Sequence, residues 1–168
     1  MQTPSYLLPR VGIGYDVHPL VTGRPLVLGG ETIPFEKGLL GHSDADVLIH
    51  AVMDALLGAM AREDIGHLFP DTDPAYAGIS SRILLRKVRE KMFEEGYQLG
   101  NMDAVIACQR PKLAPSIPKM RENLAEDLQC DSSQISIKAT TTEKLGFVGR
   151  EEGISAQAVC LLLPFSAY

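Results

Sequence analysis

The chain has 168 residues, 45% of them hydrophobic and 22% charged, with a formal net charge of −5 and a pI of about 5.3. This composition suits one globular domain with a substantial core, and its acidic balance argues against a broad nucleic-acid surface, which needs a basic stripe. An anionic small molecule is not excluded, because a bound metal can reverse the local field. The sequence has no run of about eighteen apolar residues, so neither a membrane span nor a membrane partner is expected.

The predicted elements follow the hydrophobic spacing and the turn residues. The first half has a strand at 11–17, a hairpin of strands 25–30 and 31–35 around Gly29-Gly30, a helix at 43–60 and a loop at 64–78. A helix at 80–95, a strand at 101–109 and a loop at 110–115 follow. The chain continues with a helix at 116–128, a strand at 134–139, a loop at 140–150 and a strand at 154–163. Strands and helices alternate in the second half, which favours an α/β layer with helices packed on a sheet. The long loops are the segments where function is expected.

The helix at 43–60 carries two stripes. Apolar residues recur at helical spacing, and Ser43 with Asp46 three residues later predicts an N-cap in a variant of the capping box. Asp46, His50 and Asp54 recur every four residues and form a second, polar stripe. The helix therefore offers polar groups on a face next to its apolar one.

The cysteines and the N-terminal residues bear on where the protein is located, and the cysteines indicate a reducing compartment. Cys108, Cys130 and Cys160 are odd in number and lack C-x-x-C spacing, so we expect reduced thiols. Residues 1–10 lack the apolar stretch of a signal peptide and are interpreted as an N-terminal extension before a single domain at 11–168. The expected location is the bacterial cytoplasm, or the plastid stroma if a transit peptide has been removed.

A metal site is the most specific hypothesis that the residues support. Asp16 and His18 stand at positions i and i+2 of the first strand and therefore share a face. His50 is a third candidate ligand, and one Asp with two His and an open fourth position is typical of catalytic zinc. Asp54, one turn after His50, suits a carboxylate that orients a ligand histidine. A hydrogen-bonded Asp–His pair and a core histidine are the alternative interpretations.

Two segments could bind phosphate. A helix N-terminus beside His42 is a potential anion site, although Ser43 also fits a simple N-cap turn. The three hydroxyls at 140–142 follow a strand and suit phosphate contacts, and Glu143 could hold a hard cation such as Mg2+. A polar sheet edge is the alternative for that segment. The chain has no Walker motif, no G-x-G-x-x-G after a strand and no G-x-S-x-G, so neither a known nucleotide loop nor a protein nucleophile is expected.

Four motifs in order give the chain a close resemblance to a known family. They are GYDVH at 14–18, EKGLLGHSD at 36–44, DIGHLFPDTD at 64–73 and KATTTEKLGF at 138–147, followed by GR at 149–150 and GI at 153–154. Over about residues 10–163 the chain resembles the 2-C-methyl-D-erythritol 2,4-cyclodiphosphate synthases. Chance similarity does not explain four ordered motifs.

The resemblance implies a fold and an activity. The family fold is α/β (α+β), a two-layer sandwich of a mixed β-sheet with helices packed on one face, assembled as a homotrimer with the sheets around the axis and active sites between subunits. The implied activity is that of a lyase of the non-mevalonate isoprenoid (terpenoid) pathway. It cyclises 4-diphosphocytidyl-2-C-methyl-D-erythritol 2-phosphate and releases CMP.

The resemblance also implies cofactors and site residues. Matching positions make Asp16, His18 and His50 the ligands of one Zn2+ per chain, with Mg2+ or Mn2+ at Glu143 as a second cation. His42 and Thr141 match the catalytic residues that position phosphates and stabilise the transition state. The implied substrate-binding residues are Asp16, Val17, His18, His42, Ser43, Asp64, Ile65, Gly66, Phe69, Pro70, Asp71, Thr72, Asp73, Cys108, Gln109, Arg110, Pro111, Lys112, Leu113, Ala114, Thr140, Thr141, Thr142, Glu143, Phe147 and Arg150.

Further expectations concern the trimer axis and competing functions. Phe147, Arg150 and Tyr15 match positions that line an axial cavity, where the resemblance implies an isoprenoid diphosphate. Two other functions are weighed against the synthase. A metal-dependent phosphoesterase would use metal-bound water and release a hydrolysis product. A nucleotide- or isoprenoid-diphosphate-binding module would tolerate loss of His42 or Thr141.

Overall fold

The computed structural model describes residues 8–165, so the first seven residues of the predicted extension and the last three of the predicted domain lie outside it. The described part of the chain forms the strands β1 (Arg10–Thr22), β2 (Leu26–Leu28), β3 (Glu31–Ile33), β4 (Lys37–Leu39), β5 (Tyr97–Ala107), β6 (Ile135–Thr140) and β7 (Gly153–Pro164). Its helices are α1 (Val47–Ala59), α2 (Ile65–Leu68), α3 (Ser81–Glu94), α4 (Ile117–Leu128) and α5 (Gly146–Gly149). No helix within 8–165 is long and apolar enough to cross a membrane.

Five strands form one mixed sheet in the order β4-β1-β7-β5-β6. β5 and β6 run parallel, and the other neighbours run antiparallel. β2 and β3 form the predicted hairpin, and its two-residue turn needs the positive φ angles of Gly29 (57°) and Gly30 (73°). The prediction of an α+β fold with helices and a mixed sheet is confirmed. β4 was not predicted, because its three residues are too few to show a period.

Close packing of α1 on β1 positions the residues of interest. A Cβ added at Gly12 would lie 1.9 Å from the Ala55 carbonyl oxygen, and one at Gly14 would lie 1.9 Å from that of Ala51. Only glycine allows a helix to approach a strand so closely. Two strand residues rise about as far as four helix residues, so Asp16 lies level with the 47–51 turn of α1. His50 belongs to that turn, and its Nδ1 lies 3.1 Å from the Asp16 carboxylate.

The start of α1 differs from the prediction. The helix begins at Val47, and its N-cap is Asp46, whose carboxylate accepts a hydrogen bond from the Ile49 N–H. Ser43, the predicted cap, lies before a residue in the left-handed region, Ala45 at φ 57°, which interrupts a helical path. The same Asp46 carboxylate accepts the N–H groups of Gly29 and Gly30, so it joins α1 to the β2–β3 turn.

The two faces of β1 are unlike each other. Side chains at even positions face α1, whereas those at odd positions are exposed on the opposite face; the large exposed ones are Val11, Ile13, Tyr15 and Val17. β1 extends beyond its predicted span at both ends, β5 begins and ends earlier than its predicted span of 101–109, and the predicted loops at 64–78 and 140–150 contain the short helices α2 and α5. One exposed sheet face thus carries a row of apolar side chains.

Candidate active site

Three side chains from β1 and α1 converge at one point. Asp16 Oδ2 lies 2.9 Å from His18 Nε2 and 3.1 Å from His50 Nδ1, and the two imidazole nitrogens lie 3.0 Å apart. Asp16 and His18 are partly exposed and His50 is buried. The strand period and the α1 seam therefore bring together the predicted ligands.

The electrostatics of the triad favour a cation between its members. Burial alone would raise the pKa of Asp16, but hydrogen bonds from His18 and His50 outweigh it and hold that pKa well below its usual range. Burial would lower the pKa of His18, but its contact with Asp16 outweighs burial, so the pKa is raised. Such shifts mark a place where positive charge is stabilised.

The donor set fits a divalent metal ion. Three donors at 2.9–3.1 Å from one another are close to the separation of about 3.3 Å expected for ligands of a tetrahedral ion with bonds of about 2 Å. The Nδ1 of His18 contacts the Leu40 carbonyl oxygen at 3.0 Å, a donor bond that leaves the Nε2 lone pair facing the triad. One carboxylate and two imidazoles are a typical set for such an ion.

The triad opens into a cavity of about 330 Å³. Its lining residues are Asp16, His18, Gly41, His42, Ser43, His50, Ile65, Gly66, Phe69, Asp71, Tyr76 and Leu84. His42 contributes an imidazole at the wall, where its Nε2 contacts the Asp73 carbonyl oxygen at 3.1 Å. The cavity thus combines the Asp16–His18–His50 cluster, the third imidazole of His42 and the 64–78 segment.

The 64–78 segment is held over the cavity by several contacts. Asp64 caps α2 and contacts the His67 ring at 3.0 Å. The Phe69 and Tyr76 rings meet edge to face with centroids 5.4 Å apart, and the Lys87 ammonium lies 6.0 and 5.6 Å from those centroids. These aromatic and cation–π contacts dock the segment against α3.

Asp54 has a different role from the one predicted. Its carboxylate accepts the Ile65 N–H at 2.9 Å, and burial raises its pKa. The groups beside the outer nitrogen of His50 are instead the hydroxyls of Ser81, at 2.9 Å, and Ser43, at 3.2 Å. Asp54 therefore ties α1 to the start of α2.

A second, shallower groove of about 180 Å³ lies elsewhere on the chain. Its lining residues are Cys108, Gln109, Pro111, Lys112, Leu113, Ala114, Ala139, Thr140 and Thr141. Burial raises the pKa of Cys108 to about 12, so its thiol stays protonated and donates to the Arg110 carbonyl oxygen at 3.1 Å. The groove and the larger cavity have no lining residue in common.

A polar turn follows the groove at residues 141–144. Glu143 (φ 52°) and Lys144 (φ 64°) adopt left-handed backbone, which is rare for such residues. The turn brings the Lys144 N–H to the Gln109 side-chain oxygen at 3.1 Å, and the Thr141 hydroxyl donates to the Glu143 carboxylate at 3.2 Å. Thr141 and Glu143 are thus adjacent, as a shared phosphate and cation site requires.

Some predicted residues line neither cavity. They are Val17, Asp64, Pro70, Thr72, Asp73, Arg110, Thr142, Glu143, Phe147 and Arg150. The Val17 side chain is on the exposed sheet face, Arg110 is paired with Glu151 at 2.8 Å, and Arg150 is paired with Glu152 at 2.9 Å. Asp64, Pro70, Thr72 and Thr142 are chain neighbours of lining residues, and Asp73 and Glu143 contact His42 and Thr141. Phe147 is exposed on the surface.

The structure adds site residues that sequence reasoning missed. Tyr76 and Leu84 line the cavity, and Ser81 contacts His50. Only Gly41 had a sequence signal, since it lies inside the EKGLLGHSD motif. Ser81 and Leu84 reach the site because α3 packs beside α1, whereas Tyr76 reaches it through the 64–78 segment, where its ring meets that of Phe69. No local pattern reports these contacts.

The fold and the cavity define a class, an α+β protein whose Asp–His–His triad can hold a divalent metal ion at a polar cavity. The chain belongs to the YgbB family, whose model matches residues 9–163. This finding agrees with the resemblance inferred from the four motifs, which is thereby confirmed.

Similar proteins carry a specific name. A relative from Desulfitobacterium hafniense, named 2-C-methyl-D-erythritol 2,4-cyclodiphosphate synthase, is 66% identical over 92% of this chain and 98% of its own. The bifunctional IspDF of Campylobacter jejuni superposes with a TM-score of 0.91 at 42% identity, over 95% of this chain and 43% of that protein. IspF of Plasmodium falciparum, solved as a CDP complex, gives 0.84 at 37% identity, over 95% of this chain and 99% of that one.

Proposed function

We propose that the chain catalyses the step for which its relatives, at 60–66% identity, are named. It is a lyase that converts 4-diphosphocytidyl-2-C-methyl-D-erythritol 2-phosphate into 2-C-methyl-D-erythritol 2,4-cyclodiphosphate and CMP, in the non-mevalonate isoprenoid pathway. The observation that carries this function is the convergence of Asp16, His18 and His50 on a polar cavity beside His42.

The reaction needs no nucleophile from the protein. An oxygen of the substrate's 2-phosphate attacks the β-phosphorus of its diphosphate and forms a new P–O bond. The bond between that phosphorus and the bridging oxygen breaks, and CMP leaves with the electron pair. The enzyme must fold the substrate back on itself and neutralise charge. This requirement accounts for an acidic chain that acts on a polyanion.

We assign the charge stabilisation to named residues. Zinc is the ion proposed for Asp16, His18 and His50, where it would neutralise charge on phosphate oxygens. His42, held at the cavity wall, would exchange its contact with the Asp73 carbonyl oxygen for a hydrogen bond to a phosphate and so oppose the charge that develops at phosphorus. Thr141 would do the same once its hydroxyl proton turns from Glu143 to the phosphate, and the Glu143 carboxylate would then supply the hard oxygen that Mg2+ or Mn2+ prefers.

The substrate has to contact both the larger cavity at the triad and the shallower groove at 108–114 and 139–141. We propose that the groove at 108–114 and 139–141 binds the cytidine diphosphate part and that the larger cavity binds the erythritol phosphate part. The CDP complex of the Plasmodium relative supports a cytidine diphosphate ligand. Because the two surfaces share no lining residue, we propose a homotrimer in which a neighbouring subunit's groove completes each cavity.

The exposed apolar row on β1 supports this assembly. Val11, Ile13 and Tyr15 are each more than half exposed, which is unusual for a row of large apolar side chains on a monomer. Light scattering on the purified protein should give three times the chain mass. An isoprenoid diphosphate between Phe147 and Arg150 at the axis stays a prediction, and its binding would compete with the Arg150–Glu152 ion pair.

Phosphorus NMR of the product tests the function. The protein is incubated with the cytidyl phosphate substrate and Mg2+, with and without a zinc-selective chelator. We expect cyclic diphosphate and CMP, lost on chelation and restored by zinc. Free phosphate or a linear diphosphate would indicate the phosphoesterase instead. An unchanged substrate spectrum, with saturable binding of CDP, would indicate the binding module.

A further inference from the structure

The outer nitrogen of His50 faces a buried serine from another helix. His50 Nε2 lies 2.9 Å from the Ser81 hydroxyl, and Ser81 is completely buried at the start of α3. Ser81 itself is held by Asp44, whose carboxylate accepts both the Ser81 hydroxyl, at 2.5 Å, and the Ser81 N–H, at 2.9 Å. Asp44, Ser81 and His50 therefore form one continuous chain of hydrogen bonds.

The direction of these bonds follows from the groups involved. A carboxylate only accepts, so the single Ser81 hydroxyl proton points to Asp44. The Ser81 oxygen can then only accept from His50, which requires the proton of that ring to be on Nε2. The Nδ1 lone pair is left facing Asp16 and His18. This is the tautomer that a metal ligand needs.

The tautomer of His18 is fixed in the same way, but by a backbone group instead of a hydroxyl. His18 is oriented by a main-chain group, the Leu40 carbonyl oxygen. His50 has only hydroxyls beside its outer nitrogen, and the alternative one, Ser43, is farther away and also accepts the Ala45 N–H at 3.2 Å. A hydroxyl can donate or accept, so it orients an imidazole only when its own proton is committed elsewhere. Asp44 meets this condition, because its carboxylate accepts the Ser81 hydroxyl proton.

We propose that Asp44 and Ser81 are positioning residues, which hold His50 in its metal-binding tautomer and raise the affinity of the triad for its ion. The inference rests on the metal centre proposed above. Groups that orient a ligand histidine typically contribute about 10–100-fold in metal affinity. Asp44 lies in the EKGLLGHSD motif but had no role of its own, and Ser81 had no sequence signal at all.

Zinc affinity of the folded protein tests the proposal. The dissociation constant is measured by competition with a chromophoric chelator for the wild type, Ser81→Ala, Asp44→Asn and the double variant. We expect Ser81→Ala to weaken zinc binding by about 10–100-fold. Asp44→Asn should weaken it too, because the two Ser81 donors bind different oxygens of the Asp44 carboxylate, and in Asn one of those positions becomes an NH2 group that cannot accept. The double variant should lose little more zinc affinity than the single variant that binds zinc less tightly, since both residues act through one chain of hydrogen bonds.

Ser80→Ala is the matched control. Ser80 precedes Ser81, and its side chain makes no capping hydrogen bond, so its removal should leave zinc affinity unchanged. A second readout is proton–nitrogen NMR of the zinc-loaded protein. The Nε2–H of His50 should exchange slowly in the wild type and rapidly in Ser81→Ala, while the Nδ1–H of His18 stays protected in both.

The outcomes separate this proposal from the proposed function. A wild type that binds no zinc would overturn the metal centre and this inference with it. A wild type that binds zinc, with equal affinity in Ser81→Ala and Asp44→Asn, would overturn only the positioning role. Lower thermal stability at unchanged zinc affinity would reduce both residues to structural ones. If Ser81→Ala does not fold, Asp44→Asn, which conserves volume, decides by the same criterion.

Discussion

His18 Nε2 and His50 Nδ1 lie 3.0 Å apart, although their residues are 32 positions apart and belong to different elements. Two imidazole nitrogens at that distance need a proton or a cation between them, and the Asp16 carboxylate beside them adds negative charge. The strand period brings Asp16 and His18 to one face, and the packing of α1 on β1 adds His50. Changes to the ligands, to the catalytic groups and to the packing should therefore have separable effects.

Removing one ligand should abolish metal retention. We expect the purified wild type to carry one zinc per chain and His50→Ala to carry essentially none, because two ligands at an open site bind zinc weakly. Metal analysis after gel filtration measures this. The matched control is His67→Ala, which removes an exposed histidine whose ring contacts Asp64 at 3.0 Å, outside the triad. One zinc per chain in His50→Ala would show that the ligand set is wrong.

Removing a catalytic hydrogen-bond donor should slow turnover without affecting the metal. We expect His42→Ala and Thr141→Ala each to lower kcat by about 10²–10³-fold, the usual cost of one donor to a developing oxyanion. Zinc content and thermal stability should stay near the wild-type values. Product formation is followed by phosphorus NMR. Variants that turn over normally would favour a binding module over the synthase.

The metal-free protein should lose stability as the pH rises above neutrality. The raised pKa of His18 gives a stabilising contribution that is complete below about pH 6.5, its ordinary value, and is lost as the pH passes the folded-state pKa. The lowered pKa of Asp16 matters only at acidic pH, below about 3.9. The pKa of Asp46, raised by burial to about 6, affects stability mainly below that value.

Thermal unfolding of chelator-treated protein between about pH 6.5 and 8.5 should therefore show a falling Tm, whereas zinc affinity should rise over the same range as protons leave the ligands. His67 also has a raised pKa from its contact with Asp64, so the comparison pairs His18→Gln with His67→Ala. His18→Gln should flatten the dependence of Tm on pH, whereas His67→Ala should keep most of the fall in Tm. A flat wild-type profile would contradict the role of His18.

Separating α1 from β1 should damage stability and the metal site together. In Gly14→Ala the new Cβ would lie 1.9 Å from the Ala51 carbonyl oxygen, so the helix must move outward and carry His50 away from Asp16. We expect a destabilisation of about 2–4 kcal/mol, as for other overpacked and strained core sites. Zinc affinity should fall as well.

Gly58→Ala is the control for that prediction. Gly58 is in α1, and an added Cβ would meet only the Ile13 carbonyl oxygen, at 3.7 Å. Alanine in a helix is favoured over glycine by about 1 kcal/mol, so this variant should be neutral or slightly more stable. Chemical denaturation and chelator competition measure both variants. Equal behaviour of the two would show that the close approach does not position His50.

Among the helix caps in residues 8–165, Asp46 should contribute most to stability. Its buried carboxylate accepts from Ile49, Gly29 and Gly30, so Asp46→Ala removes an N-cap and leaves backbone donors unpaired. We expect a loss of about 3 kcal/mol in denaturant unfolding. The control, Asp131→Ala, removes an exposed cap of a single 3-10 turn and should cost much less. Similar losses for both would argue against the Asp46 bridge.

Sequence alone determined what depends on local period and composition. Asp16 and His18 share a face because a strand alternates with period 2, and Gly29-Gly30 closes a hairpin because glycine accepts positive φ. The four ordered motifs identified the family. Each of these inferences needs only neighbours along the chain, so the order of the residues is enough to make it.

Tertiary structure decided everything that depends on how close two elements come. His50 meets Asp16 because two glycines let α1 lie directly on β1, and Ser81 meets His50 because α3 packs beside α1. The N-cap is Asp46 rather than Ser43 because a buried carboxylate that also holds the hairpin stabilises the later start. Such distances result from the packing of many side chains at once, and no local pattern records them.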